Sequence, residues 1–194
     1  AHPESWSDVI LQGPHLGVST PMIKQPNPTL YNNQDWSEVD LETMPSDFVP
    51  ATAYQPDRET RPAYGSDYGL WGNTLEQSFY RVAWRKLAAT TGYRTLYPAI
   101  VPPGSAHIDG VVSTASTASN AITVDAGAFA SSILGDFMIR ASGASNLRAG
   151  SFGSLPIRRE SEQIETLRCA FLRLNCLTEA YAPLWEEVVG EPWD

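Results

Sequence analysis

The sequence predicts an α+β fold: a small mixed or antiparallel sheet packed with several helices, a long extended N-terminal arm and a helical C-terminus. Three observations predict it. Two strand-like apolar runs, at 94–101 and 106–112, lie between stretches with helical spacing. Fifteen Pro and 14 Gly in 194 residues impose many turns and argue against an idealised helical bundle. Residues 21–62 are rich in Pro, Asn, Asp and Thr without sustained periodicity, as expected of an arm laid across a body. The length suits one core, so the expected organisation is an arm over 1–62, an α/β core over 63–157 and a helical pair over 158–194.

Taken in order, residues 8–18 give two short apolar runs around a Gly-Pro break, a strand or turn. The arm that follows should be pinned at Trp36, Leu41, Phe48 and Tyr54. Asn73 followed three residues later by Glu76 has the form of a helix start, predicting a helix over 74–90. Leu75, Phe79, Val82 and Leu87 would face its core side, Arg81, Arg85 and Lys86 would cluster beside them, and Gly92 would end it. The run at 94–101 reads as a strand stopped by Pro102 and Pro103, with Pro98 placing it at an edge or bulge, and 106–112 as its partner. A polar connection over 114–123 leads to a second helix over 125–140, with Phe129, Ile133, Phe137 and Ile139 turned inward. A small-residue loop over 143–153 precedes a short extended piece at 154–157. Ser161 can cap a helix carrying Ile164, Leu167, Phe171, Leu174 and Leu177. Thr178 can cap another carrying Tyr181, Leu184, Trp185 and Val188, with Pro183 in its first turn.

The formal charge is −9, which disfavours holding nucleic acid by bulk electrostatics. The bases concentrate in the middle: 51–100 carries four acids and six bases, against seven acids and one base in 1–50. Eleven of the 13 bases are Arg, with only Lys24 and Lys86 as lysines, a bias suited to forked contacts with guanine edges or phosphates and equally to pairing with the surplus carboxylates. Cys169 and Cys176 stand about 10 Å apart along one helical face, beyond disulfide reach, and read as reduced core residues of a cytoplasmic protein. No apolar run approaches 18 residues, no signal peptide opens the chain, and the start at Ala1 reads as a boundary cut within a longer protein.

Several chemistries lack their groups. No Gly-x-Gly is present to let backbone approach a nucleotide or methyl donor. Asn27 and Pro28 echo the loop that holds a flipped base, but the second Pro and the aromatic ring are missing, so a turn is expected. Neither lysine stands at the spacing from a carboxylate that metal-dependent nucleases use, His2, His15 and His107 are scattered, and Gly-x-Ser-x-Gly is absent.

The stretch RVAWRKLAATTGYRTLYPAIVPPG at 81–104 resembles a segment of large type II bacterial restriction-modification and phage-defence DNA adenine methyltransferases. Three further stretches are similar to the same proteins in the same order: VILQGPH at 9–15 with KQPNP at 24–28; SSILGDFMIR at 131–140 through Leu155-Pro156; and LRLNCLT at 172–178 with Tyr181, Leu184 and Trp185. The resemblance implies a target-recognition region lying beyond an absent catalytic domain. That upstream domain would bind S-adenosylmethionine and methylate adenine N6, while this part, with no cofactor or catalytic residue of its own, grips double-stranded DNA and packs on the methylase domain. The candidate DNA-binding residues are then Arg81, Arg85, Lys86 and Arg94, with Thr95, Arg140, Lys24 and His15 as weaker candidates. The alternatives are a protein-interaction module docking on the catalytic domain or a defence-system partner, and an independent hydrolase or nuclease, which needs converging carboxylates or a metal.

Overall fold

Val82, Ala83 and Trp84 follow one another with no alternation in polarity, and a strand buried on both faces tolerates such a run. In the computed structural model, which describes residues 2–61, 63–89, 91–157 and 163–193, all three are fully buried in a central strand. The fold is α+β. In chain order the strands are β1 (Ile10–Leu11), β2 (Lys24–Pro26), β3 (Trp36–Glu38), β4 (Leu70–Trp71), β5 (Thr74–Leu75), β6 (Arg81–Arg85), β7 (Pro98–Val101), β8 (Ala106–His107) and β9 (Val111–Thr114). The helices are α1 (Asn120–Ser131), α2 (Ile133–Ala141), α3 (Ala149–Gly153), α4 (Ile164–Asn175) and α5 (Ala182–Val189). The core sheet is antiparallel with order β7-β6-β9, and Val82 is registered between Ile100 and Thr114.

The helix expected over 74–90 is therefore replaced by a hairpin, a short 3-10 turn and a strand. Gly72, at φ +65°, and Asn73 form the turn between β4 and β5, so Asn73 caps no helix. Tyr80, Val82 and Trp84 favour a pleated surface, and partners on both sides of β6 override the local helical spacing. Leu87 is exposed, not inward. Pro98 sits on an edge strand, as expected, and that edge is sealed by side chains: Asn175 Oδ1 accepts from the Ile100 amide at 2.7 Å and Tyr181 Oη donates to the Ile100 carbonyl at 3.0 Å.

The second expected helix is two. Ser132 leaves helical geometry (ψ 160°) and its hydroxyl accepts from the Gly135 amide, so α1 and α2 meet at 69°. Gly135 permits the joint, because a Cβ there would lie 2.5 Å from the Phe129 carbonyl oxygen. The bend turns Ile133 and Phe137 outward, contrary to expectation, and keeps Ile139 inside. α1 packs on the sheet and on α4, where Gly127 allows the approach and Asp125 accepts two hydrogen bonds from Arg168, at 2.8 and 3.0 Å. The loop expected over 143–153 contains α3, whose Phe152 stacks on Trp84 at 4.4 Å.

The helical ending follows expectation in α4 and α5, including Pro183 in the first turn of α5. Leu174 is exposed, Thr178 makes no side-chain cap, and the expected cap at Ser161 lies outside the described residues. Near the start, β1 pairs parallel with β8, and Trp6, Val9, Leu11, Leu16 and Met22 join the core. Farther along, Trp36 and Phe48 pin the arm, whereas Leu41 and Tyr54 stay exposed. Asn27 and Pro28 form a turn, closed by Asn27 Nδ2 donating to Asp35 Oδ1 at 2.6 Å. Both cysteines are free thiols, and burial pushes the Cys176 thiol up to about 12. No single helix among the described residues is long and apolar enough to cross a membrane.

Candidate nucleic-acid interface

Placing Arg81 and Arg85 on a strand changes what they can reach. Four residues apart in β6 they share one face of the sheet, and that face is covered by the N-terminal segment and β8. Arg81 is 0% exposed; Nη2 donates to the carbonyl and hydroxyl of Ser105, Nη1 reaches Ser113 Oγ at 3.5 Å, and Nε has no partner. Burial lowers its pKa to about 10, against the pull of the Glu76 carboxylate and Tyr68. Arg85 donates twice to the Leu16 carbonyl and lies 4.2 Å over the Tyr97 ring, with burial again lowering its pKa. Arg85 clamps the N-terminal part of the chain to the sheet, Arg81 ties in Ser105 and Ser113, and neither forms an outer strip.

His15 and Thr95 are likewise inside. The Gln12 amide donates to His15 Nδ1 at 2.9 Å and Nε2 lies 3.0 Å from the Ala51 carbonyl, so the ring is the neutral Nε2–H form that ties the arm to the body. Burial lowers its pKa. Lys24 faces Glu38 across β2–β3 at 3.7 Å, and Lys86 holds both Asp109 oxygens at 2.7 Å, which lowers the Asp109 pKa. A direct DNA contact is thus withdrawn for Arg81, His15 and Thr95, which have no free surface, and for Arg85, whose guanidinium is engaged on the Leu16 carbonyl and Tyr97.

Arg94 and Arg140 are brought together on the far side of the sheet, by a residue the sequence did not single out. Asp136 on α2 is buried, and its Oδ1 accepts from the amides of Thr95 and Leu96 at 2.7 and 2.8 Å. Arg94 Nη2 donates to the Ser131 and Ser132 carbonyls at 2.6 and 3.2 Å, with Nε 3.4 Å from Asp136 but not aligned for a hydrogen bond. Arg140 donates to Thr95 Oγ1 at 2.9 Å and to the Gly92 carbonyl at 2.7 Å, and its side chain is 37% exposed. Farther along, Leu87 bridges Asn146 and the Leu147 amide donates to the Lys86 carbonyl at 2.7 Å. These bonds join 86–89 and 91–97 with 131–148 into one face.

That face differs from the rest of the chain in charge. Residues 86–97 and 131–148 contain Lys86, Arg94, Arg140 and Arg148 and one carboxylate of their own, the buried Asp136, with the exposed Asp109 standing beside Lys86 and Arg148, although the whole chain carries −9. Arg148 is exposed at the start of α3 and escaped notice because nothing in its spacing marks it. Exposed Leu87, Tyr93, Ile133, Leu134 and Phe137 lie on the same two segments. By contrast, a cavity of about 740 Å³ between the N-terminal turn and the start of α5 is lined by Glu4, Asp47 and Glu179. Those three carboxylates are exposed, and among the described residues no group of His, Cys, Asp or Glu is placed to hold a metal ion.

The resemblance assigns S-adenosylmethionine to an upstream domain. The parallel pairing among the described residues is the two-residue contact of β1 with β8, and no glycine-rich turn follows it to seat a nucleotide. No family model, curated protein or solved structure matches the chain.

Proposed function

We propose that the chain is a DNA-recognising part of a cytoplasmic DNA adenine-N6 methyltransferase of a restriction-modification or phage-defence system, non-catalytic by itself. The observation that carries this reading is the acid-poor face formed by 86–97 and 131–148 on an otherwise acidic chain. A polyanion meets surplus carboxylate elsewhere, and here it meets Arg148 and the partly open Arg140. The four stretches that resemble adenine methyltransferases add to it, because they include the strands and helices that assemble this face and its support. The methyl donor and the chemistry then belong to an upstream domain.

The test is fluorescence anisotropy of the chain with labelled duplex DNA across a salt series. Binding should weaken as salt rises, and Arg148→Glu should lower affinity and reduce the slope by about one counterion. Binding that is absent, or indifferent to salt and to Arg148, would sink the reading. Methylome sequencing of a host with and without the gene tests its parentage: loss of one adenine-methylated motif is expected.

A second reading, docking on a protein, is favoured by the apolar side chains Ile133, Leu134 and Phe137. They lie on α2, whereas the terminal helices expose only Leu174 among the large hydrophobic residues described.

A further inference from the structure

Tyr93 has the most exposed large hydrophobic side chain among the described residues, at 102%, yet its backbone is fixed on both sides. Before it, the Gly92 carbonyl accepts from Arg140; after it, Arg94 is held by the Ser131 and Ser132 carbonyls, and the next two amides by Asp136. An aromatic ring on a mobile loop would fold back onto the apolar surface nearby. Here the anchored turn holds the ring away from its own protein, with both faces free. Leu87 at 73%, and Ile133 and Phe137 one helical turn apart on α2, are exposed on the segments that this turn is bonded to.

We infer that Tyr93 is a stacking residue, and that this face receives duplex DNA in which one base has left the stack, the ring lying against the exposed base or in the gap it leaves. The inference rests on the DNA reading above and adds to it the residue that meets an unstacked base. Charge favours this occupant over a protein: 86–97 carries no carboxylate, Asp136 is turned inward between two guanidiniums, Asp109 is held by Lys86, and Arg148 is exposed to meet phosphate. Stacking suits the ring because every base presents a π-face, so no sequence-specific contact is required of it. An enzyme that modifies a base outside the helix creates such a surface at its target.

The experiment uses the 194-residue chain with two labelled duplexes of equal length, one fully paired and one with a single 2-aminopurine opposite an abasic site. Anisotropy gives affinity, and 2-aminopurine emission reports stacking. The chain should bind the gapped duplex more tightly and quench its emission. Tyr93→Ala should lose about tenfold in affinity for that duplex with little change on the paired one, and Tyr93→Trp should keep both preference and quenching. Equal binding of both duplexes, unaffected by Tyr93→Ala but still weakened by Arg148→Glu, overturns the stacking role and leaves the DNA reading standing. Absence of binding to either duplex overturns both. So does Phe137-dependent self-association or capture of a protein by this face in place of DNA.

Discussion

Asp136→Ala should destabilise the chain by about 3–5 kcal/mol, and Asp136→Asn by about 1–2 kcal/mol. The larger figure comes from the two amides that Asp136 Oδ1 accepts at 2.7 and 2.8 Å, those of Thr95 and Leu96, both buried. Removing the carboxylate strands each of them at about 1–3 kcal/mol. Arg94 loses an ion pair at 3.4 Å but retains the Ser131 and Ser132 carbonyls. The Arg140 pair, at 3.9 Å with a side chain more than a third exposed, is screened and adds almost nothing. Asparagine keeps an acceptor for the amides and forfeits only the charge. Against a total stability of about 5–15 kcal/mol, the alanine variant should lower Tm by roughly 10 °C. Urea unfolding followed by Trp fluorescence and far-UV circular dichroism measures the difference, with m unchanged. Equal costs for Ala and Asn, or an Ala cost below about 1.5 kcal/mol, would refute the claim that stranded amides dominate.

Two other outcomes follow from the core. His15 is buried with Nδ1 accepting from Gln12, so its pKa lies below the ordinary value of 6.5. The sign is that of a base which binds protons better unfolded: stability is full above pH 6.5 and falls as pH drops toward the folded pKa, by up to about 1.4 kcal/mol per unit. His107, also lowered by burial, adds to the same window, so His15→Gln should reduce the slope of unfolding free energy between pH 7 and 5 without abolishing it; an unchanged slope would count against the His15 latch. At Gly127 a Cβ would lie 2.6 Å from Phe171 Cζ, 2.8 Å from its Cε1 and 3.0 Å from Val82 Cγ2. Gly127→Ala should therefore cost about 1–3 kcal/mol, with part recovered in Gly127→Ala/Phe171→Leu, and a chemical-denaturation midpoint that does not fall would show that α1 can move aside.

Much of the architecture was legible because its signals are local. Pro98 cannot donate within a ladder and marked an edge; α4 and α5 carry repeating apolar positions, and the polar stretch before α1 carries none. The region from 73 to 90 misled because Asn73, Glu76 and the spacing of Leu75, Phe79 and Val82 satisfy a helix template, while the deciding partners lie far away at Ile100 and Thr114. That one error carried into the site. A helix places Arg81 and Arg85 on an outer turn; a central strand places Arg85 beneath the N-terminal segment and buries Arg81 against Ser105. Arg94 and Arg140 were visible as cations, but their shared anchor at Asp136 was not, since the bonds that join them span about forty residues. Tyr93 carried no signal beyond standing between a glycine and an arginine.

The arginine bias itself acquires a different cause. Arg58 donates to the Ser7 carbonyl, Arg81 to Ser105, Arg85 to Leu16, Arg94 to Ser131 and Ser132, and Arg140 to Gly92. The strands here are two to five residues long, and irregular chain between them leaves carbonyl groups without ladder partners. A guanidinium offers five donors in a rigid fork and is less strongly hydrated than an ammonium, so it satisfies such carbonyls at low desolvation cost where lysine does not. Arg58 also pairs with Asp8 at 3.0 Å, so these arginines divide between backbone and carboxylate, and the surplus charge of the arm rests on its composition, seven acids and one base over 1–50. The acid-poor face then stands out by what it lacks, and under the proposed DNA reading a polyanion would be steered to it by the repulsion of the acidic surface around it.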